Sequence, residues 1–288
     1  LGMPIGWLAD RGNRIKIITV AVYLWSFATA ACGLANSFLQ MFLARVSVGV
    51  GEAALSPSVY SLVPDYFKPE KLSRAFSFYN AGLFIGSGLA LVIGGAIIEI
   101  TPALDLPIVG HLEPWQVTFM YVGLPGLLIG LWGMTLREPK RLGKTANESG
   151  QVRLGSHIRR SFKYIATRPG AYFYHFFGFS LYAFIWTGTA AWTPTFFMRE
   201  FGMSAGEVGG MYGLIVVVFG PLGVTTGGML AGYWRKIGKV DAEIRTGIVG
   251  VLCTLPFGVL APLMPTTTLA FIGFAGLTFF ASFPWGAA

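Results

Sequence analysis

The chain has 288 residues, of which 54% are hydrophobic, 15% aromatic and only 12% charged, and its mean hydropathy is +0.62. Soluble domains carry about a quarter charged residues, so an ordinary water-soluble enzyme is excluded. The 21 Lys and Arg outnumber the 13 Asp and Glu, giving a net charge of +8; in so apolar a chain this raises the question of membrane sidedness rather than of nucleic-acid binding.

The first apolar run, 1–9, is too short to cross a bilayer. Lacking an initiating Met and a basic leader, it is expected to be the tail of a helix rather than a signal peptide. About 20 apolar residues cross the hydrocarbon layer, and runs of that kind predict spans at 15–35, 38–67, 75–98, 116–136, 171–198, 208–234, 246–263 and 267–288. The last run reaches the final residue, so a fragment of a longer, all-helical polytopic membrane protein is expected.

The connections between these spans alternate in charge. Three cations follow Leu8, three lie at 68–74, nine at 137–168 and four at 235–245; the intervening connections hold only Arg199, and Arg45 is inside a span. By the positive-inside rule the cation-rich face is cytoplasmic. The longest connection, 137–170, separates four spans from four. Within it Ile158, Phe162 and Ile165 occupy one helical face and Arg159, Arg160 and Lys163 the other, which predicts an amphipathic helix on the cytoplasmic leaflet. The part before Ser156 reads equally as a solvated basic linker. Gly6-Trp-Leu-Ala-Asp-Arg11 is echoed at Gly228-Met-Leu-Ala-Gly-Tyr233, each copy at a cytoplasmic span end, which implies a parallel repeat. Cys32 and Cys253 sit in apolar runs, and the three His are scattered, so no disulfide, metal site or cofactor is expected.

Arg45 and Glu52 are the most informative pair. Charges at membrane depth cost about 2.5 to 3.5 kcal/mol each on insertion scales and need a partner or a water-filled path. Their separation of seven residues places both on one helical face, about 10 Å apart along the axis. That is too far for a tight ion pair, but an extended Arg or a bridging water can link them. Desolvation favours a neutral carboxyl and a nearby cation an ionised one, so small changes in access switch protonation, as a proton-coupled carrier requires. The alternative is a pair that only ties helices together.

Gly6-x-Leu8-Ala9-Asp10-Arg11-x-x-Arg14 and Arg45-x-x-x-Gly49-x-Gly51 resemble signatures of the major facilitator superfamily. Trp115-Gln116-x-x-Phe119 and Glu138-Pro139 also fit it, and the string from Arg45 through Glu52 and Pro57 to Asp65-Tyr66-Phe67 is similar to the Spinster-like branch. The resemblance implies a two-bundle fold: 1–136 as an incomplete N-terminal bundle from the end of helix two to helix six, 137–170 as a cytoplasmic linker, and 171–288 as an incomplete C-terminal bundle of helices seven to ten. It implies proton coupling by Arg45 and Glu52, with an acid in a first helix outside this chain, and a conformational latch at Asp10, Arg11 and Arg14 that Asp65 and Arg74 extend. An interfacial Asp with Arg also serves simply to anchor a loop.

Tyr79, Asn80, Tyr182, Trp186, Thr187 and Trp285 are the candidates for substrate contact, although aromatic residues also serve as interface anchors and packing. Glycine pairs such as Gly82-xxx-Gly86, Gly126-xxx-Gly130 and Gly223-xxx-Gly227 permit close helix approach, and Pro57, Pro64, Pro125, Pro194 and Pro221 can kink spans. With no Walker loop and no catalytic cluster at one depth, the expectation is a monomeric inner-membrane secondary transporter that is not an enzyme, coupled to protons and carrying a lipid-like or amphiphilic molecule. The alternatives are a drug or organic-anion exporter of the same superfamily and a non-transporting channel or receptor.

Overall fold

The computed structural model describes residues 2–106, 110–142 and 154–287. The expected linker segment at 143–153 lies outside the described residues. In chain order the helices are α1 (Gly2–Arg11), α2 (Arg14–Cys32), α3 (Phe38–Glu52), α4 (Leu55–Tyr66), α5 (Pro69–Ile100), α6 (Pro114–Gly123), α7 (Pro125–Gly133), α8 (Leu154–Ala166), α9 (Pro169–Glu200), α10 (Ala205–Lys236), α11 (Ala242–Leu260), α12 (Thr267–Ala281) and α13 (Phe283–Ala287). Two compact units form: Leu1–Leu72 with Ala103–Ile185, and Ser73–Pro102 with Trp186–Ala288. Compactness thus groups most of α5 with later helices, whereas the division expected by chain order places it with the earlier ones.

Helix ends follow local rules. Asn13 Oδ1 accepts from Lys16 N at 2.8 Å to cap α2, and Ser37 Oγ accepts from Gln40 N at 3.3 Å to cap α3. Ser204 and Glu207 form a reciprocal box on α10, with Glu207 N donating to Ser204 Oγ at 3.1 Å and Ser204 N to Glu207 Oε2 at 2.8 Å. Such caps satisfy N–H groups that a helix leaves without partners, each contributing about 1 kcal/mol.

Among the described residues, seven helical stretches are long and apolar enough to cross a membrane: Arg14–Cys32, Phe38–Tyr66, Arg74–Ile100, Pro114–Gly133, Ala205–Lys236, Ala242–Leu263 and Thr267–Ala287. The eighth expected span is the continuous 32-residue helix α9, whose Tyr, Trp, His, Thr and Ser side chains dilute its hydropathy. Large apolar side chains stand out from the helices, among them Phe38 at 85%, Phe78 at 83% and Phe184 at 78% exposure, a surface suited to lipid and not to water. The prolines act unequally: the chain breaks before Pro57 and at Pro125, while α4, α9 and α10 run on through Pro64, Pro194 and Pro221.

In the first unit α2 is central and packs on α3, α6 and α7. Gly51 is buried there, and a Cβ at that position would lie 3.1 Å from the Ala21 carbonyl oxygen, so α3 and α2 meet backbone to side. Gln116 Nε2 of α6 donates to the carbonyls of Gly33 and Ala35 at 3.1 and 3.2 Å, tying the end of α2 to the start of α6.

In the second unit α10 packs on α11, α12 and α13. Phe197, Val208, Tyr212, Val216, Phe271 and Phe274 belong to its core, where the Phe197 and Phe271 rings stack at 4.0 Å. A glycine seam joins α5 to α10: a Cβ on Gly88 would fall 2.5 Å from the Gly213 carbonyl oxygen, and one on Gly209 would fall 2.5 Å from that of Leu91. At the seam's end the Glu99 carboxylate occupies the space beside Gly206 and accepts from Ser204 Oγ at 3.2 Å, a favourable place for an anion at a helix N-terminus. Of the α5 glycines that the sequence singled out, Gly95 joins this seam, its Cβ position lying 2.8 Å from the Ala205 carbonyl oxygen, whereas Gly82 and Gly86 have nothing within 4 Å, because spacing alone does not say which face of α5 meets a neighbour.

One element departs from the all-helical expectation. Leu104–Leu106 pairs antiparallel with Gly110–Leu112, and Leu112 is fully buried. His111 Nδ1 lies 2.8 Å from Asp105 Oδ1, and its Nε2 lies 3.7 Å from Glu113 Oε1. The hydrogen bond to Asp105, reinforced by the negative charges of Asp105 and Glu113, raises the His111 pKa above its ordinary value. The stabilisation from this trio is complete below the unfolded-state value of about 6.5 and is lost as the pH rises through the folded value. Asp105→Asn is therefore expected to lower the His111 titration midpoint, read from its imidazole proton shifts by NMR; an unchanged midpoint would contradict the pairing.

Candidate functional site

Glu52 is the last residue of α3. The helix ends there because Pro57 has no N–H to return to the carbonyl four residues earlier and its ring crowds that carbonyl. Ala53 and Ala54 form the turn, with Ala54 N bonded to Gly51 O at 3.1 Å, and α4 begins at Leu55. The carboxyl thus sits at a helix break inside the stretch Phe38–Tyr66, and its side chain is exposed.

Arg45 lies on the same helix and is also exposed. Its guanidinium stands over the Phe119 ring of α6 at 4.7 Å, and that ring makes an edge contact with Trp115 at 6.2 Å. A cation against an aromatic face gains about 0.5 to 2 kcal/mol, depending on desolvation. Among the described residues no ion pair joins Arg45 to Glu52; seven residues of regular helix keep them apart.

The helix ends on the cation-rich face carry a denser network. Arg14, at the first turn of α2 and 1% exposed, donates from Nη1 to Asp65 Oδ2 at 2.5 Å and to the Ser61 carbonyl at 2.6 Å, and from Nε to Glu138 Oε1 at 2.6 Å. Glu138 Oε2 accepts from Ile15 N at 3.1 Å, which places a carboxylate at the positive end of α2. Asp65 Oδ1 accepts from Leu142 N at 3.0 Å. Arg141 Nη2 donates to the Ala9 and Gly12 carbonyls, both at 2.6 Å, and Nη1 to the Asp10 carbonyl. Four chain ends that the charge alternation assigns to one face, those of α1, α2, α4 and α7, therefore converge.

Of the expected latch residues the structure joins Arg14 and Asp65 directly. Asp10 contributes its carbonyl to Arg141 while its side chain is exposed, and Arg11 stands over the Trp7 ring at 4.6 Å. Arg74 is exposed and belongs to the second compact unit. Glu138 and Arg141, which the sequence did not single out for this face, belong to the same network. Their only local signal was the Glu138-Pro139 dipeptide after a span, since partners more than 120 residues away are invisible to local patterning.

Among the candidate substrate residues, Asn80 is buried and its Nδ2 donates to the Trp285 carbonyl at 2.9 Å. Trp186 makes an edge contact with Phe84 at 5.1 Å, and Phe84 is fully buried. Tyr79, Asn80, Trp186, Thr187 and Trp285 belong to the second unit and Tyr182 to the first, where it lies 6.1 Å from Phe179.

The family model of the Major Facilitator Superfamily matches residues 1–288. The chain belongs to that superfamily. It is an integral membrane protein and, as the string from Arg45 to Phe67 suggested, similar to Spinster proteins. It is 27% identical over 282 residues to "Protein spinster homolog 1" of Xenopus laevis, covering 93% of this chain and 51% of that protein. It is 24% identical over 287 residues to the "Probable L-galactonate transporter" of Escherichia coli (strain K12), covering 96% of this chain and 60% of the relative. A solved structure of a bacterial homolog to the human lysosomal transporter Spinster, inward-facing and unoccupied, matches with a TM-score of 0.76 and 28% identity over 100% of this chain and 62% of that one. The chain thus spans about half to three fifths of the length of these relatives.

Proposed function

We propose that the protein is a proton-coupled secondary transporter of the bacterial inner membrane, moving a lipid-like or amphiphilic organic molecule by alternating access. The observation that carries this reading is an ionisable pair, Arg45 and Glu52, exposed on one helix of a membrane-spanning stretch, with Glu52 at a helix break. In this reading 1–136 and 171–288 are the two halves and 137–170 is the linker between them, a frame that superfamily membership supports without fixing its bounds. Glu52 takes up and releases the proton, and Arg45 adjusts its charge balance. Arg14 and Asp65, with Asp10, Arg11 and Arg74, latch the cytoplasmic ends in one state and release them in the other. Tyr79, Asn80, Tyr182, Trp186, Thr187 and Trp285 contact the substrate.

A second reading, an organic-anion carrier, is favoured by one observation: the similarity to a protein named for L-galactonate is of the same order as that to Spinster proteins. In that case Arg45 is the cation facing the substrate carboxylate. Flux into proteoliposomes of the full-length protein separates the two, with lysophospholipids, amphiphilic drugs and hexonates offered with and without a pH gradient. Saturable, gradient-driven lysolipid flux supports the first reading and hexonate flux the second; no saturable flux of any of them rejects both.

A further inference from the structure

The end of α8 and the start of α9 form an elbow with an unusual surface. Thr167 N and Oγ1 both donate to the Tyr164 carbonyl, at 3.1 and 2.6 Å, and Arg168 N donates to Ile165 O at 3.1 Å, so α8 ends in a tight turn directly before Pro169. Tyr164 of α8 meets Tyr172 of α9 edge-on at 6.3 Å, which fixes one helix against the other. The two-residue turn leads into α9, the eighth expected span; with α9 crossing the membrane, α8 sits at the depth where that helix leaves the hydrocarbon, on the cation-rich side.

Two features say what covers α8. Phe162, in the centre of its apolar stripe between the half-buried Ile158 and Ile165, is 58% exposed, so the protein itself covers that stripe only in part. Arg159, Arg160, Lys163 and Arg168 are all exposed, and the sequence contains no acid between Ser149 and Arg199. This run of positive charge is followed in the chain by exposed Phe173 and Tyr174, side chains of the kind that settle among lipid headgroups.

We propose that the α8–α9 elbow is a docking surface for the anionic phospholipids of the cytoplasmic leaflet. The apolar stripe enters the headgroup–acyl boundary while Arg159, Arg160, Lys163 and Arg168 engage phosphodiester groups. This inference rests on α9 crossing the membrane and is independent of proton coupling or substrate. Each cation near an anionic leaflet contributes about fivefold to local partitioning, so neutralising three of them removes most of the preference.

The test places a polarity-sensitive fluorophore on Phe162→Cys in the full-length protein, with its other cysteines, Cys32 and Cys253 among them, replaced by Ala, and reconstitutes it in nanodiscs of phosphatidylcholine with or without about 30 mol% phosphatidylglycerol. Quenching by neutral acrylamide is expected to fall about fivefold or more in the anionic discs, and the difference to vanish in about 0.5 M salt. It should also vanish in Arg159→Gln/Arg160→Gln/Lys163→Gln, with Lys163→Gln alone as the milder variant if the triple one folds poorly. Equal quenching in both lipids overturns the proposal, whether strong, meaning that the stripe faces the cytosol, or weak, meaning that protein or neutral lipid covers it.

Discussion

Arg14→Ala is expected to destabilise the protein by about 3 to 5 kcal/mol, the range for removing one member of a buried ion network. The guanidinium is 1% exposed and faces two carboxylates, Asp65 and Glu138, whose side chains are 9% and 19% exposed. Without it both charges remain half-enclosed beside the Ser61 carbonyl, which also loses its donor. Arg14→Lys should recover only part of the loss, since an ammonium cannot direct Nε to Glu138 and Nη1 to Asp65 together. Thermal unfolding of the purified full-length protein in detergent measures this, and adding Asp65→Asn to Arg14→Ala should restore part of the stability by removing one orphaned charge. By contrast Glu243→Gln, which breaks the exposed pair with Arg235, should change stability by about 1 kcal/mol or less. Equal effects at the two sites would mean that the Arg14 network is as solvated as the surface pair.

Glu52→Gln is expected to leave the fold and its melting temperature intact and to abolish dependence of transport on the pH gradient. Accumulation driven by that gradient should fall at least tenfold, while exchange at symmetric pH persists. Gln keeps the size and hydrogen-bonding ends of Glu but carries no ionisable proton, so the variant separates proton coupling from packing. The exposed side chain and its place at the α3–α4 break make a folding defect unexpected. Proteoliposome uptake with an imposed gradient gives the answer. A variant still driven by the gradient as strongly as wild type would remove Glu52 from the coupling step.

Composition and run length were enough for the helical membrane architecture, because a bilayer requires long apolar stretches whatever they pack against. Alternation of cations placed the ends of α1, α2, α4 and α7 on one face, and the Arg14 and Arg141 networks draw those same ends together. The helix starts at Asn13, Ser37 and Ser204 carry polar caps readable within a few residues. What such patterns leave open is choice among equals. Several glycines on α5 had suitable spacing, and only the approach of α10 selects Gly88 and Gly95 over Gly82 and Gly86. Arg45 was expected near Glu52 by helical periodicity, yet its guanidinium rests on Phe119, a residue 74 positions away.

The apolar runs, their charged ends and the ionisable pair inside one of them were therefore settled by the amino-acid order alone, since each depends on residues within a turn or two or on a solvent that acts along the whole chain. The identity of Arg14's partners and the grouping of α5 with α10 were decided by tertiary structure. A buried guanidinium donates to any carboxylate that the fold brings within about 3 Å, and which carboxylates arrive depends on helix ends lying more than a hundred residues apart, as Glu138 does from Arg14.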